Sequence, residues 1–405
     1  MLGAQPAADR AARAVTTQCH DPPVERTLPK VPGALLATVS PVPAALKDSV
    51  DGSVVDELAR RFAAVDEGFD AEGFRQRTTL ALDGLELKAR MQLIARELWR
   101  AMGDRDPAAA MVCLVEVARA EPAIDGWAAW PLASVVELFG SSCPAEALDA
   151  MEHVTKRMSC EFAVRPFLRD HFDITYARLL AFTDHDDERV RRLPSEGMRP
   201  RLPWGAGVQR LVDDPLPGLA VLQRLRHDPS ETVRRSVANH LNDLAKTHPH
   251  LVVDTLGAWV VEPETDRRMV AHALRTLVKR GDLQALALLG FTTDSAVIVE
   301  RFDVSPAIVE MGSHIELTAH VVSTSAGPQR LVVDFVVHHV NASGATSPKV
   351  FKWTTTDLAP GERRTLTKRR LVRQASTRTY RAGTHRVELQ VAGQVVAATS
   401  FDIRL

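Results

Sequence analysis

The chain has 405 residues, of which 45% are hydrophobic and 25% charged, a balance typical of a globular protein. The length favours two folded domains over one, and the net charge of −1 means that any affinity for nucleic acid must come from local clusters of charge. No apolar run approaches the roughly 20 residues of a membrane span. The start shows no secretory signal, and the four cysteines have no zinc or disulfide spacing. We therefore expect a cytoplasmic protein with reduced thiols and no membrane partner.

The chain divides into three consecutive segments that differ in composition and in hydrophobic pattern. Residues 1–44 are rich in Ala, Pro, Thr and Val without a helical period, so we expect a disordered N-terminal extension. Residues 45–290 carry apolar side chains at helical spacing, beginning with Leu58, Phe62, Val65 and Phe69, and predict an all-α domain. Residues 291–405 contain about seven short β-branched runs separated by Gly, Pro and Asn turns, and predict an immunoglobulin-like β-sandwich.

The helical segment contains a repeated pattern. Val190-Arg191-Arg192 and Val233-Arg234-Arg235 each follow an acidic helix start, and a looser copy begins at Asp266. A period near 40 residues is typical of HEAT-type helical solenoids. Stacked repeats of this kind are expected to line basic side chains along one surface, which suits a phosphate backbone.

The chain resembles the AlkC-type DNA glycosylases, alkylation-repair enzymes built from HEAT-like repeats. The resemblance spans roughly residues 45–405 and is carried by five motifs. These are Glu161–Leu168, Ser195–Trp204, Arg234–Asp243, His272–Asp282 and Ser347–Lys352. It implies a helical glycosylase domain followed by an Ig-like DNA-binding domain.

The resemblance also implies a function. The expected activity is that of a monofunctional glycosylase that excises N3-methylated bases such as 3-methyladenine from alkylated double-stranded DNA, leaves an abasic site and does not flip the base. No phosphate-binding loop, dinucleotide fingerprint, metal-ligand cluster or glycosylase-lyase lysine motif is found in the sequence, so no cofactor or metal is expected. We expect a monomer that associates with the bacterial nucleoid while it works.

Excision of a cationic base needs negative charge near a sugar that acquires oxocarbenium character, and aromatic faces favour such cations. Glu161 and Glu196 are the candidate carboxylates. Each has a structural alternative. Glu161 could cap a helix or pair with Arg165, and Glu196 could form an ion pair with Arg192 or Arg199. Trp127 is the candidate aromatic residue, with Trp130 beside it, and either could instead be packing. AlkC-type sequences often have an acidic residue at the position of Ser134, for which Glu137 could substitute.

The candidate DNA-binding residues lie in the repeats, in the motif before Trp204 and in the tail. On a helix, 235, 239, 242 and 246 share one face whose polar side chains are not expected in a core. From Lys349 onward the tail has 12 Lys and Arg against 4 Asp and Glu, although a basic run can also be a solvated strand face. The full set is Arg165, Arg199, Arg201, Trp204, Arg234, Arg235, Ser236, Asn239, Asn242, Lys246, His272, Arg275, Lys279, Lys349 and Lys352.

A second class of function stays open. A noncatalytic HEAT-repeat scaffold that binds nucleic acid or protein would show the same periodicity, with the Ig-like domain as an adaptor. Such a scaffold needs no carboxylates among its arginines, so Glu161, Glu196 and Trp127 are the residues that distinguish the two hypotheses.

Overall fold

A computed structural model describes residues 46–374 and 379–404. The expected disordered extension, residues 1–44, lies outside the described residues. Helices occupy the described chain up to Leu288, and strands follow from Val297. The predicted class, an all-α part followed by an all-β part, is therefore confirmed.

The described residues form sixteen α-helices, joined by short turns and three 3-10 segments. Their bounds are α1 Gly52–Val65, α2 Ala71–Ala81, α3 Leu87–Ala101, α4 Pro107–Arg119, α5 Trp130–Phe139, α6 Pro144–Thr155, α7 Val164–Asp170, α8 Phe172–Phe182, α9 Glu188–Gly197, α10 Gln209–Asp213, α11 Leu216–Leu225, α12 Glu231–Leu244, α13 Pro249–Val260, α14 Arg267–Ala273, α15 Arg275–Arg280 and α16 Leu283–Leu288.

Aspartates set the start of many of these helices. At six N-termini an Asp side chain accepts the backbone N–H of a residue in the first turn, which satisfies one of the amide groups that a helix leaves unpaired there. The six are Asp51, Asp70, Asp106, Asp187, Asp266 and Asp282. In the repeats, α12 packs against both α9 and α14, so the two Val-Arg-Arg helices are neighbours in space. None of the described helices has both the length and the apolar character needed to cross a bilayer.

Eight strands form two sheets that share one core. Their bounds are β1 Val297–Ser305, β2 Ile308–Glu310, β3 His314–Ser323, β4 Gln329–Val340, β5 Thr346–Leu358, β6 Arg363–Leu371, β7 Gly383–Val391 and β8 Gln394–Arg404. The sheet orders are β1-β3-β6 and β2-β8-β7-β4-β5. Leu317 of the first sheet and Phe335 and Leu389 of the second lie in the same apolar cluster, as in a β-sandwich.

The second sheet packs directly on the helical part. Val332 and Ala392 point away from the sandwich core and belong to the apolar cluster of the helices. Beside them the two backbones touch, because a Cβ added to Gly393 would lie only 2.1 Å from the Cα of Gly281. Both glycines have positive φ, 74° at Gly281 and 78° at Gly393. The close approach therefore requires glycine at both positions, for space as well as for conformation.

Gly393→Ala is expected to lower the free energy of unfolding more than Gly361→Ala does. Both residues have positive φ, so each substitution carries a conformational cost of roughly 1–2 kcal/mol. Gly361 faces open space, whereas Gly393 meets a backbone, and the forced separation adds about 1–3 kcal/mol. Urea unfolding of the two variants measures the difference, and equal destabilisation would contradict the close contact.

Candidate active site

Three aromatic rings form a continuous group between α5, the 3-10 segment before it and the turn before α7. The rings of Trp127 and Trp130 lie 5.4 Å apart, and Trp130 stacks on Phe162 at 5.7 Å. Trp130 and Phe162 are buried, whereas Trp127 is half-buried. Sequence reasoning named the two tryptophans but missed Phe162, although it follows Glu161 directly.

Glu161 lies beside this group, in the turn before α7 rather than in the helix itself. Its Oε2 atom accepts hydrogen bonds of 2.9 Å from Ser159 Oγ and from Arg192 Nη1. Its Oε1 atom makes no hydrogen bond to the residues that the structure describes. The expected alternative, a Glu161–Arg165 pair, is wrong because Arg165 turns inward. One oxygen of the carboxylate, Oε2, is thus held in place, whereas Oε1 is left without a hydrogen-bond partner among the described residues.

Glu137 is a second carboxylate on the helix that carries Trp130. It lies on α5, two turns after Trp130 and one turn after Ser134, which is buried. Partial burial raises the pKa of Glu137, and nearby Lys88 opposes that shift. It forms no ion pair within 4 Å among the described residues. An acidic group is therefore available one helical turn from Ser134.

Lys88, the second residue of α3, joins this group from a distant part of the sequence. Its ammonium lies 5.5 Å from the centre of the Phe162 ring and donates a 2.9 Å hydrogen bond to the carbonyl of Trp204. Trp204 has a φ of 65°, rare for a bulky residue, and the residue is 67% exposed. A separation of 116 residues left no sequence signal for this contact.

Glu196 is buried, with only 4% of its surface exposed. Its Oε1 accepts from Arg199 at 2.5 Å, and its Oε2 accepts from Ser236 Oγ at 2.6 Å and lies 3.4 Å from Arg192 Nη2. Both oxygens are used inside the fold, which contradicts the prediction that Glu196 is a catalytic carboxylate. The ion-pair alternative describes its contacts.

Arg199 is also buried and bridges Glu196 to Asp243, whose other carboxylate oxygen lies 2.8 Å from the ammonium of Lys246. Ser236 Oγ donates to Glu196, and Asn242 Oδ1 accepts the backbone N–H of Thr276. Burial of Arg199, Ser236 and Asn242 contradicts the expectation that they lie on a DNA-binding surface. Of the helical face predicted to be polar and exposed, Asn242 instead packs against the neighbouring repeat.

Among the residues that the structure describes, Arg165 is the largest fully buried one, at 1% exposure. Its guanidinium donates to the carbonyls of Gly197 at 2.8 Å and Arg199 at 2.9 Å, and also to that of Ala206. Burial lowers its pKa to about 10, so the group stays charged at neutral pH. It cannot contact a phosphate from this position. Arg165 instead holds the chain segment that follows α9.

The first arginine of each Val-Arg-Arg unit links one repeat to the next. Arg191 donates to Asp228 at 2.7 Å and to two carbonyls at the start of its own repeat. Arg234, 43 residues later, makes the same contacts with Asp266 at 3.0 Å and with the carbonyls of Asp228 and Pro229. Arg234 therefore has a structural partner, contrary to a purely DNA-binding role.

The second arginines have other surroundings. Arg192 contacts Glu161 and Glu196, whereas the Arg235 side chain is 65% exposed and contacts Glu231 on its own helix. Adjacent residues on a helix point about 100° apart, so one arginine can join the repeats while the next faces outward. Arg235 keeps the exposure that a phosphate contact needs.

Arg234→Ala is expected to lower the free energy of unfolding by about 1–3 kcal/mol, because Asp266 and two carbonyls lose a charged donor. Arg235→Ala is expected to change it by less than about 0.5 kcal/mol, since its ion pair is exposed. Urea unfolding measures both. Equal stability of the two variants would show that the contacts between repeats contribute nothing.

The remaining candidates for DNA contact keep some exposure. Asn239 Oδ1 accepts from His272 at 2.9 Å and from Arg275 at 3.0 Å, so these three half-buried side chains form one cluster. Lys246 is half-buried. The exposed members are Arg201, Trp204, Arg235, Lys279, Lys349 and Lys352.

Comparison with known proteins agrees with this architecture. Residues 298–405 match the family model described as "Uncharacterised protein YhaZ, C-terminal Ig-like domain". The YhaZ protein of Bacillus subtilis (strain 168) is 33% identical over 362 residues, which cover 88% of this chain and 99% of YhaZ. The Pseudomonas fluorescens alkylpurine DNA glycosylase AlkC, solved with DNA containing an abasic site analog, superposes with a TM-score of 0.83. It is 32% identical, and the match covers 89% of this chain and all of AlkC. The chain therefore belongs to the AlkC-type family, which includes YhaZ, with a helical domain followed by an Ig-like domain.

Proposed function

We propose that the protein is a monofunctional DNA glycosylase that excises N3-methylated bases, such as 3-methyladenine, from alkylated double-stranded DNA. The observation that carries the proposal is Glu161, whose Oε1 is unpaired among the described residues and which directly precedes Phe162, the ring that stacks on Trp130 in the group with Trp127. The similarity to the glycosylase AlkC supports the same reaction class.

In this mechanism the alkylated base carries a positive charge and leaves without a strong general acid. The Glu161 carboxylate stabilises the sugar as it becomes cationic, and it orients the attacking water. Arg192 and Ser159 hold the carboxylate through Oε2, so that little reorganisation is needed during the reaction. The face of the half-buried Trp127 indole attracts a cationic base or sugar through a cation–π interaction. Glu137 is the second carboxylate that we assign to this site.

The enzyme would work as a monomer at the nucleoid in the bacterial cytoplasm, on a lesion that stays within the duplex. Exposed Arg201, Arg235 and Lys279 of the helices and Lys349 and Lys352 of the Ig-like domain would contact phosphates. Lys88 donates a hydrogen bond to the Trp204 carbonyl. We therefore assign Lys88 to positioning the exposed Trp204 indole, and not to nucleophilic attack on the sugar. The product would therefore be an intact strand with an abasic site.

A methylated supercoiled plasmid tests this product. We expect the protein to cause nicks only when an abasic-site endonuclease is added afterwards, since a monofunctional glycosylase leaves the backbone whole. Nicks without the endonuclease would mean that the enzyme is also a lyase. No nicks in either case, from protein that binds the plasmid, would favour the noncatalytic scaffold.

A further inference from the structure

A cleft of about 570 Å³ lies between α14–α16 and the strands β4 and β5. Apolar residues such as Val278, Phe291 and Val332 form part of its wall. Five cationic side chains, from both domains, line it together with one acid, Asp334. The five are Arg267, Arg275, Lys279, Arg330 and Lys352.

The positive charge of this cleft is not neutralised within the fold. Among the residues that the structure describes, none of the five cations forms an ion pair within 4 Å. Arg275 donates to the neutral side chain of Asn239 and to the carbonyl of His272, and Arg330 lies 5.3 Å from the ring of Phe291. Five cations and one carboxylate leave a local excess of +4 when Asp334 is ionised. Such a concave cationic surface attracts anions.

Asp334 is the only acid among the residues that line the cleft. It lies at the β-bulge of β4, opposite Lys352 of β5 on one side and Gln390 of β7 on the other. Only 3% of its surface is exposed, and burial raises its pKa to about 6 although Lys352 and Lys279 oppose the shift. The backbone N–H of Trp353 also favours the ionised form. Gln390, the register partner of Asp334 on β7, has its Oε1 buried without a hydrogen bond among the described residues.

The two halves of the cleft have a fixed separation. Gly281, at the end of α15, touches Gly393 in the turn between β7 and β8, backbone to backbone. The Thr292 N–H also donates a 2.8 Å hydrogen bond to the Arg330 carbonyl. The cations of the helical part and those of the sandwich are therefore held at one site before any ligand binds, which reduces the cost of binding.

We propose that this interdomain cleft binds a backbone phosphodiester of duplex DNA, with Asp334 competing for Lys279 and Lys352 when no phosphate is present. The proposal rests on the proposed function for the identity of the ligand as DNA. It adds Arg267 and Arg330 to the DNA-binding residues and makes Asp334 a negative regulator of binding. Protonation of Asp334 would end its attraction to Lys279 and Lys352 and leave both ammonium groups free for the phosphate.

Binding of an undamaged duplex, measured by fluorescence anisotropy over a range of salt concentrations, tests the cleft independently of excision. Arg330→Ala is expected to reduce the slope of log affinity against log salt by about one. The matched control is Arg363→Ala on β6, an exposed arginine that is outside the cleft and paired with Glu300. It should leave the slope unchanged. Identical slopes for wild type and Arg330→Ala would overturn the proposal, whether or not the protein excises bases.

Asp334→Asn is expected to strengthen duplex binding, whereas a variant that is misfolded would bind more weakly. The substitution should tighten duplex binding at pH 7.5 by about three- to tenfold, because an attraction that competes with the phosphate is removed. The wild type should gain affinity as the pH falls through about 6, and the variant should gain less. Binding by Asp334→Asn that is unchanged or weaker would contradict the role of Asp334.

Inorganic phosphate distinguishes a DNA phosphodiester from a free anion. If the cleft serves a small phosphate ligand instead, phosphate should raise the melting temperature of the wild type above that in chloride at equal ionic strength. Arg330→Ala should lose this stabilisation. The slope of log duplex affinity against log salt should then be the same for Arg330→Ala as for the wild type. That combination would overturn the assignment to DNA. A reduced slope with no stabilisation by phosphate would support it.

Discussion

Glu161→Gln is expected to lower the single-turnover rate of base excision by about a hundredfold or more, which corresponds to roughly 3 kcal/mol of transition-state stabilisation. Glutamine keeps an oxygen that can accept from Ser159 and Arg192, so the local fold should persist. The variant removes the negative charge that stabilises the sugar cation. DNA affinity should stay unchanged or become slightly tighter, because a carboxylate near phosphates is repulsive.

Two further variants make this test specific. Glu121→Gln changes an exposed glutamate that forms an ion pair with Arg157, and it should excise at the wild-type rate. Glu137→Gln tests the second carboxylate beside the aromatic group. Full single-turnover excision by a folded Glu161→Gln variant, together with a slow Glu137→Gln variant, would transfer the catalytic role to Glu137.

Arg165→Met should lower the free energy of unfolding by about 3–5 kcal/mol, the largest stability effect that we expect in this chain. Methionine fills much of the space but cannot donate, so the carbonyls of Gly197, Arg199 and Ala206 lose their shared partner. Those carbonyls belong to the segment that carries Trp204. The variant should therefore also bind DNA more weakly wherever it remains folded.

Arg169→Met on the same helix is the control for this prediction. Arg169 lies one turn after Arg165, but its side chain is exposed and paired with the adjacent Asp170. Its replacement should change stability by less than about 0.5 kcal/mol. Thermal and urea unfolding measure both variants. A loss below about 1 kcal/mol for Arg165→Met would show that the buried guanidinium is not needed to hold this segment.

The repeats and the strand alternation were predictable because both depend on local periodicity. Leu58 and Phe62 on α1, and Leu317 and Ala319 on β3, are buried as their spacing predicts. The repeated Val-Arg-Arg motif also indicated neighbouring helices, and α9 and α12 do pack together.

The orientation of individual polar side chains was not predictable in the same way. Arg191 and Arg192 are adjacent in sequence, yet one joins two repeats and the other contacts Glu161. Arg165 and Glu196 look like surface residues because their partners come from loops and helices tens of residues away. Lys88 and the Gly281–Gly393 contact depend on tertiary packing alone.

Chromatography of the bases released from methylated duplex DNA tests the central claim most directly. The account predicts that the wild-type protein releases 3-methyladenine, with little or no 7-methylguanine and without added metal or nucleotide, and that Glu161→Gln releases it about a hundredfold more slowly. If protein that binds the duplex releases no methylated base, under conditions in which a known glycosylase is active, the result would contradict the account and leave a noncatalytic scaffold.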